Sequence, residues 1–203
     1  MSISRATLQA LAGRRFEALI IGASAGGVNA LLGLLSDLPK TFRLPIVNLL
    51  HLPEDRDSRL ADIFQHRSAI AVREATDRAA IEPATLYFAG AGYHLLIEHD
   101  RTFSLSCEAP VHFSRPSIDV LMESAADVYG ASLAGILLTG ANYDGASGLA
   151  HIAEKGGLTV VQDPAEAQVA TMPEAAIRKL QPDLILRLDA IRDLILAMDK
   201  NSC

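Results

Sequence analysis

The stretch Ala18-Leu19-Ile20-Ile21-Gly22-Ala23-Ser24-Ala25-Gly26-Gly27 decides the fold. An apolar run of strand type stops at small residues, one serine stands among the glycines, and an amphipathic pattern begins at once. That is strand, tight turn, helix, with a hydroxyl at the turn. Gly22, Ser24 and Gly26 fit G-x-S-x-G, the pattern of a nucleophile held on a sharp strand-to-helix turn. Glycine suits both flanks because such a turn needs unusual backbone angles and close approach. The following helix N-terminus leaves N–H groups free for an anion. The dinucleotide pattern G-x-G-x-x-G fails, since Ser24 occupies the place of its second glycine, and no Gly-Lys-Ser/Thr completes a P-loop. The competing reading at this point is a small-residue turn that only lets the helix pack close to the sheet.

Working outward, Val28, Leu31, Leu32, Leu35 and Leu38 form one helical face, stopped by Pro39. Ile46–Leu50 reads as a buried strand ending at His51-Leu52-Pro53, and Leu60, Ile63 and Phe64 suggest a helix. Residues 69–72 and 86–89 are short strand candidates, and 95–97 with 103–106 form an antiparallel hairpin around His99-Asp100-Arg101. A helix is predicted over 118–129 with Ser117 as N-cap. Residues 133–138 are a buried strand, followed by a helix over 146–155 closed by Gly156-Gly157. Strands at 158–161 and 184–186 and helices near 174–179 and 189–198 complete the chain. Residues 1–15 read as a short helix or linker stub, and 16–203 as one catalytic domain. The alternation predicts a doubly wound, three-layer α/β/α fold with a mainly parallel central sheet and an antiparallel β-hairpin.

The length of 203 residues suits one α/β domain. A net charge of −6 argues against a nucleic-acid surface or a polybasic membrane patch. Cys107 and Cys203 are no disulfide framework and point to a reducing compartment. No segment approaches transmembrane length. The apolar run after Arg5, Arg14 and Arg15 is too short for a signal peptide, so the expected setting is cytoplasmic.

Three side chains of catalytic type follow apolar strands: Ser24, His51 and Asp144. In a parallel sheet they emerge at one edge, where ligands bind. They are the set that acyl transfer needs: a nucleophile, a base and a carboxylate that orients the base. The bland alternatives are a turn serine, a strand-end histidine and an aspartate that caps a helix. The order Ser…His…Asp differs from that of α/β-hydrolases, so a different fold reaches the same geometry. His94 and His112 are candidates to line the pocket, while His66, His99 and His151 read as surface residues. No histidine pair has metal-ligand helical spacing. Arg115 and Asp119 read as an i,i+4 ion pair, and Asp55, Arg56 and Asp57 as a solvated loop bordering the site.

At these residues the chain resembles the catalytic domain of the chemotaxis protein-glutamate methylesterases, the CheB family. The resemblance runs from about Glu17 to Ile195. It rests on the joint order of the serine turn, His51-Leu52-Pro53, the run from Arg115 to Leu121, Leu137-Leu138-Thr139-Gly140, Asp144-Gly145-Ala146, Gly156-Gly157-Leu158-Thr159, Gln162-Asp163 and the run from Met172 to Ile177. It implies Ser24 as nucleophile, His51 as base and Asp144 as orienting carboxylate. It also implies hydrolysis of glutamate methyl esters on cytoplasmic helices of methyl-accepting chemoreceptors, with glutamine deamidation in some members, and no metal or organic cofactor. The oxyanion is expected at backbone N–H groups of Ala25 and of the Gly140–Ala141–Asn142 loop.

The chain departs from the family pattern at several places. Ala25 replaces a threonine, Thr139-Gly140-Ala141-Asn142-Tyr143-Asp144-Gly145 replaces Thr-Gly-Met-Gly-x-Asp-Gly, and Ala89-Gly90-Ala91-Gly92 replaces an Ala-Pro-Gly loop. Family members usually carry a receiver domain before the esterase domain, whereas only a short stub precedes Glu17 here. Constitutive activity, gating by a separate receiver or regulatory protein, or a fragment of a longer chain are the expectations that follow. A binding module without catalysis and a small-ester or amide hydrolase outside chemotaxis stand as alternatives.

Overall fold

A computed structural model describes residues 4–51 and 60–201. The first helix, α1 (Arg5–Leu11), is capped by the Ser4 hydroxyl and sends Leu11 into the core, so part of the expected stub packs on the domain. Then follow β1 (Ala18–Ala23), α2 (Gly27–Leu35), β2 (Ile46–Leu50), α3 (Leu60–Gln65), β3 (Ala71–Glu74) and β4 (Thr85–Phe88). The hairpin is β5 (His94–Ile97) and β6 (Phe103–Ser106). The rest is α4 (Ile118–Tyr129), β7 (Leu133–Leu137), α5 (Ala146–Glu154), β8 (Leu158–Gln162), α6 (Thr171–Lys179), β9 (Leu184–Leu186) and α7 (Leu188–Asp199).

The central sheet has seven strands in the order β3-β4-β2-β1-β7-β8-β9, all parallel. β5 and β6 pair antiparallel as a separate ribbon, Leu95 opposite Leu105. Strand alternation sorts the core into two layers. Leu19, Ile21 and Ala23 of β1 meet Leu31, Leu34 and Leu35 of α2 and Ile191, Leu194 and Ile195 of α7. Ala18 and Ile20 face the other way, toward Ile118, Leu121 and Met122 of α4 and Leu149 and Ile152 of α5. Leu95, Ile97 and Phe103 of the hairpin join this second layer. Both faces of β1 are therefore covered, which is why its sequence is a continuous apolar run rather than an alternating one. The strand order reverses direction at β1, between β2 and β7. Crevices at the carboxyl ends of such strands are where open α/β sheets bind ligands.

The three-layer α/β/α arrangement with its hairpin is the predicted one. Four boundaries move for identifiable reasons. β3 lies at 71–74 rather than 69–72, because Ile70 is buried in the turn ahead of the strand and the strand itself is an exposed edge. α2 ends at Leu35, and Leu38 reaches the core from the turn before Pro39. α6 begins at Thr171 rather than near Glu174, since Pro173 sits in the first turn, where its missing N–H costs nothing. β5 begins at His94, which buries that side chain. The expectations for Asp55, Arg56, Asp57 and Cys203 fall outside the described residues.

α4 packs closely on β1 at Gly22. A Cβ there would lie 2.4 Å from Ile118 Cγ2 and 3.0 Å from Leu137 Cδ1. Gly22→Ala should therefore destabilise the domain by about 1–3 kcal/mol through overpacking. A lowered urea midpoint at unchanged m-value would register it, and an unchanged midpoint would mean that α4 shifts freely.

Candidate active site

The serine turn is built from the backbone outward. Gly27 N–H donates to Ser24 O at 2.8 Å, closing a four-residue turn over Ser24-Ala25-Gly26-Gly27. Gly26, at the third position, has φ +82° and ψ −6°, the values of a type II turn, which favours glycine there. Ser24 N–H donates to Thr139 O at 2.9 Å, and the Thr139 hydroxyl donates to Ala25 O at 2.8 Å. Thr139 is itself held by Gln162 Oε1, which accepts from its N–H at 2.8 Å. The turn is thus bolted from behind by β7 and β8. Among the described residues, the N–H groups of Ala25 and Gly26 donate to no partner.

His51 follows β2, and its N–H donates to Ala23 O at 3.1 Å, which sets its backbone beside the serine turn. Its Nε2 lies 2.7 Å from Asp144 Oδ2, with the imidazole nearly buried and the carboxylate fully so. Because Asp144 takes Nε2, Nδ1 is the ring nitrogen left without a strong partner. Asn142 Nδ2 stands 3.5 Å from Nδ1, a weak contact, and 3.3 Å from Ser114 Oγ. Ser24 Oγ makes no hydrogen bond to His51 or to any other described residue. The structure therefore joins two of the three predicted side chains directly and brings the third alongside through its backbone.

Asp144 accepts four hydrogen bonds. His51 Nε2 and Ile118 N reach Oδ2, both at 2.7 Å, and Ser117 Oγ and Asp119 N reach Oδ1 at 2.8 and 3.0 Å. Two of these donors are the free N–H groups at the start of α4, so the carboxylate sits on a helix N-terminus. The helix is not its own: α5 starts after Gly145 with no side-chain cap. Burial is the largest influence on Asp144 and pushes its pKa up, but the bonds from His51, Asp119 and Ile118 together hold it below the ordinary value. It stays an anion that fixes the ring orientation of His51.

Ser117 is the N-cap of α4, as predicted, accepting from Val120 N. Its link to Asp144 was not readable from sequence spacing. Behind it, His94 Nδ1 accepts from Ser117 N at 3.2 Å while its Nε2 donates to Ala109 O at 3.1 Å. His94 is therefore buried scaffold rather than pocket lining. The expected pair of Arg115 and Asp119 does not form. Arg115 Nη1 donates to the carbonyls of Cys107 and Glu108, and Asp119 accepts from Gly148 N at 2.7 Å and faces His112 Nε2 at 3.4 Å. The local reason is that Arg115 lies ahead of the helix, which starts at Ile118 after the Ser117 cap, so the i,i+4 geometry of a helix does not apply. Burial, helped by the charges of Asp144 and Glu123, pushes Asp119 up to about 6. Its contribution to stability is present at low pH and lost as pH rises through that value, opposite in sign to that of Asp144.

In the loop after β7, Gly140 is already engaged. Its N–H donates to Val169 O, its carbonyl accepts from Met172 N, and a Cβ there would strike Met172. The N–H groups of Ala141 and Asn142, like those of Ala25 and Gly26, donate to no described partner. His66 and His99 are exposed, and His151 pairs with Asp127 and Glu154 on the surface. Among the described residues no three His, Cys, Asp or Glu side chains gather as a metal site.

Comparisons with known proteins converge on this arrangement. The family model of the CheB methylesterase matches residues 19–195. A Leptospira interrogans protein with the provisional name protein-glutamate methylesterase/protein-glutamine glutaminase is 46% identical over 187 residues, 92% of this chain and 97% of that one. A Carboxydothermus hydrogenoformans protein-glutamate methylesterase/protein-glutamine glutaminase is 39% identical, covering 89% of this chain and 55% of its own length. The crystal structure of the Thermotoga maritima CheB methylesterase catalytic domain superposes with a TM-score of 0.85 at 28% identity, over 90% of this chain and 98% of that one. With sequence, fold and site geometry in agreement, the chain belongs to the CheB methylesterase family.

Proposed function

We propose that this protein is a serine esterase that removes methyl groups from glutamate side chains on cytoplasmic helices of chemoreceptors, with residues 16–203 as the catalytic unit. The observation that carries the reading is the buried Asp144 carboxylate holding His51 at 2.7 Å beside the serine turn. Ser24 Oγ attacks the ester carbonyl while His51 Nδ1 takes its proton, the Nε2–H being committed to Asp144. The oxyanion is stabilised by the Ala25 N–H and by Ala141 or Asn142 N–H. The imidazolium returns its proton to the departing methanol, and a water deprotonated at Nδ1 then frees the glutamate. A glutamine side chain would follow the same path with ammonia leaving. That agrees with the double names of the relatives. Among the described residues no helix is long and apolar enough to cross a membrane, which suits action on receptor domains outside the bilayer.

Methanol release from membranes bearing methylated receptors tests the reading. The wild-type chain should release it, and Ser24→Ala should lose on the order of 10³-fold or more of the rate with its melting temperature retained. Turnover of a chromogenic ester without methanol release would leave a serine hydrolase with another substrate.

Asp144→Asn should cost on the order of 10⁴-fold in kcat by loosening the imidazole orientation. A loss of tenfold or less would mean that the carboxylate chiefly caps α4. The same group marks the acid limb of stability. Its pKa is below the ordinary 3.8 in the native state, so its contribution is present above that value and is lost as pH falls through the native one. Acid unfolding of Asp144→Asn should accordingly show a flatter dependence below about pH 4, read by circular dichroism.

A further inference from the structure

Four residues before Ser117 the chain makes a tight turn that the esterase chemistry does not use. Val111 and Ser114 exchange backbone hydrogen bonds of 3.1 and 2.8 Å, which leaves His112 and Phe113 as the two central residues. Both have positive φ, +49° and +62°. That is the backbone of a type I′ turn, which favours Asn-Gly and penalises side chains of this size. The Phe113 side chain is 99% exposed. A lone exposed apolar residue is ordinary. A phenylalanine held out on a backbone that disfavours it, beside an active site, is not.

Its anchoring ties the turn to the catalytic groups. Ser114 Oγ accepts from Asn142 Nδ2, the same nitrogen that approaches His51 Nδ1. His112 packs edge-on against Tyr143, ring centroids 4.6 Å apart, and its Nε2 faces Asp119, whose N–H donates to Asp144. Tyr143, itself half exposed, adjoins Asp144 in sequence. Phe113 therefore projects from the rim of the site, one residue from a side chain in contact with the machinery.

We infer that Phe113, presented by the strained turn at 111–114, is a docking residue that grips the helical surface of the protein substrate. This rests on the esterase reading above. A polypeptide that brings a methyl ester to Ser24 must lie across the rim of the site, and the most exposed large apolar side chain among the described residues, Phe113, stands on that rim. The matching chemistry is an apolar side chain on the substrate helix near the esterified glutamate. Covering the ring on binding removes its apolar surface from water, and among the described residues no other large apolar side chain is as exposed. The rigid turn keeps the ordering cost low. The ring itself is no part of proton transfer or oxyanion binding. Its contribution is selection of a folded protein ester over a small one.

The test compares Phe113→Ala, Phe113→Leu and the wild type on two substrates, methylated receptor membranes and p-nitrophenyl acetate. The ratio of the two kcat/KM values should fall on the order of tenfold to a hundredfold in Phe113→Ala, mainly through KM for the receptor. Phe113→Leu should recover part of it. A ratio within twofold of wild type overturns the inference, and so does an equal loss on both substrates, which would mark a structural role. A wild-type dimer in sedimentation that dissociates in Phe113→Ala also overturns it, since a second copy would then be the occupant. Absence of methanol release by the wild type, with p-nitrophenyl acetate still turned over, would instead defeat the esterase reading and this inference with it.

Discussion

One buried carboxylate organises this molecule. Asp144 has no solvent exposure, yet it remains charged because two backbone N–H groups of α4, the Ser117 hydroxyl and the His51 ring all donate to it. Removing an ion from water costs several kcal/mol unless such partners are in place. The arrangement therefore binds three elements that are far apart in sequence. The loop after β7 supplies the charge, the start of α4 supplies the dipole, and the end of β2 supplies the imidazole. Loss of any one leaves the others incompletely satisfied, which is the physical meaning of a cooperative site.

Packing makes that contact possible. Ile118, the first residue of α4, sits against both Gly22 of β1 and Gly145 before α5, where added Cβ atoms would approach its Cγ2 to 2.4 and 2.8 Å. Two missing side chains let the helix come down onto the sheet edge and deliver its N-terminus to Asp144. A second clamp, Asp119 accepting from Gly148 N, fixes α5 against α4. The charge of the site thus depends on close apolar packing a few ångströms away. The glycines of the serine turn divide their duties accordingly: Gly22 makes room, while Gly26 supplies the left-handed backbone that aims Ser24.

The rim is built on a different principle from the core. Ser24, His51 and Asp144 sit at strand ends and a helix terminus, held by bonds with little freedom. The 111–114 turn and Tyr143 stand outside that frame, aromatic and exposed, and connect to it through Ser114, Asn142 and Asp119. Asn142 is the link between the two, 3.3 Å from Ser114 Oγ and 3.5 Å from His51 Nδ1.

Local pattern was enough for much of this. The apolar runs, the glycine-bounded serine and the Ser117 cap follow from backbone preference and hydrophobic periodicity, which act over a few residues and are legible one segment at a time. Strand ends bearing Ser24, His51 and Asp144 implied one sheet edge because parallel strands share a direction. Tertiary structure alone decided the rest. That Asp144 holds the opening N–H groups of α4 and not those of its own helix, that His94 is buried behind Ser117 and that Gly140 is spent on Val169 are contacts between residues distant in the chain, and the turning of Arg115 to carbonyls and of Asp119 to His112 follows the path of the loop that leads into α4. No spacing rule encodes them, because each depends on how two layers settle against each other. The orientation of His51, with Nε2 given to the carboxylate and Nδ1 turned away from it, belongs to the same class: residue type supplies an imidazole, and only the packed fold chooses which nitrogen the carboxylate holds.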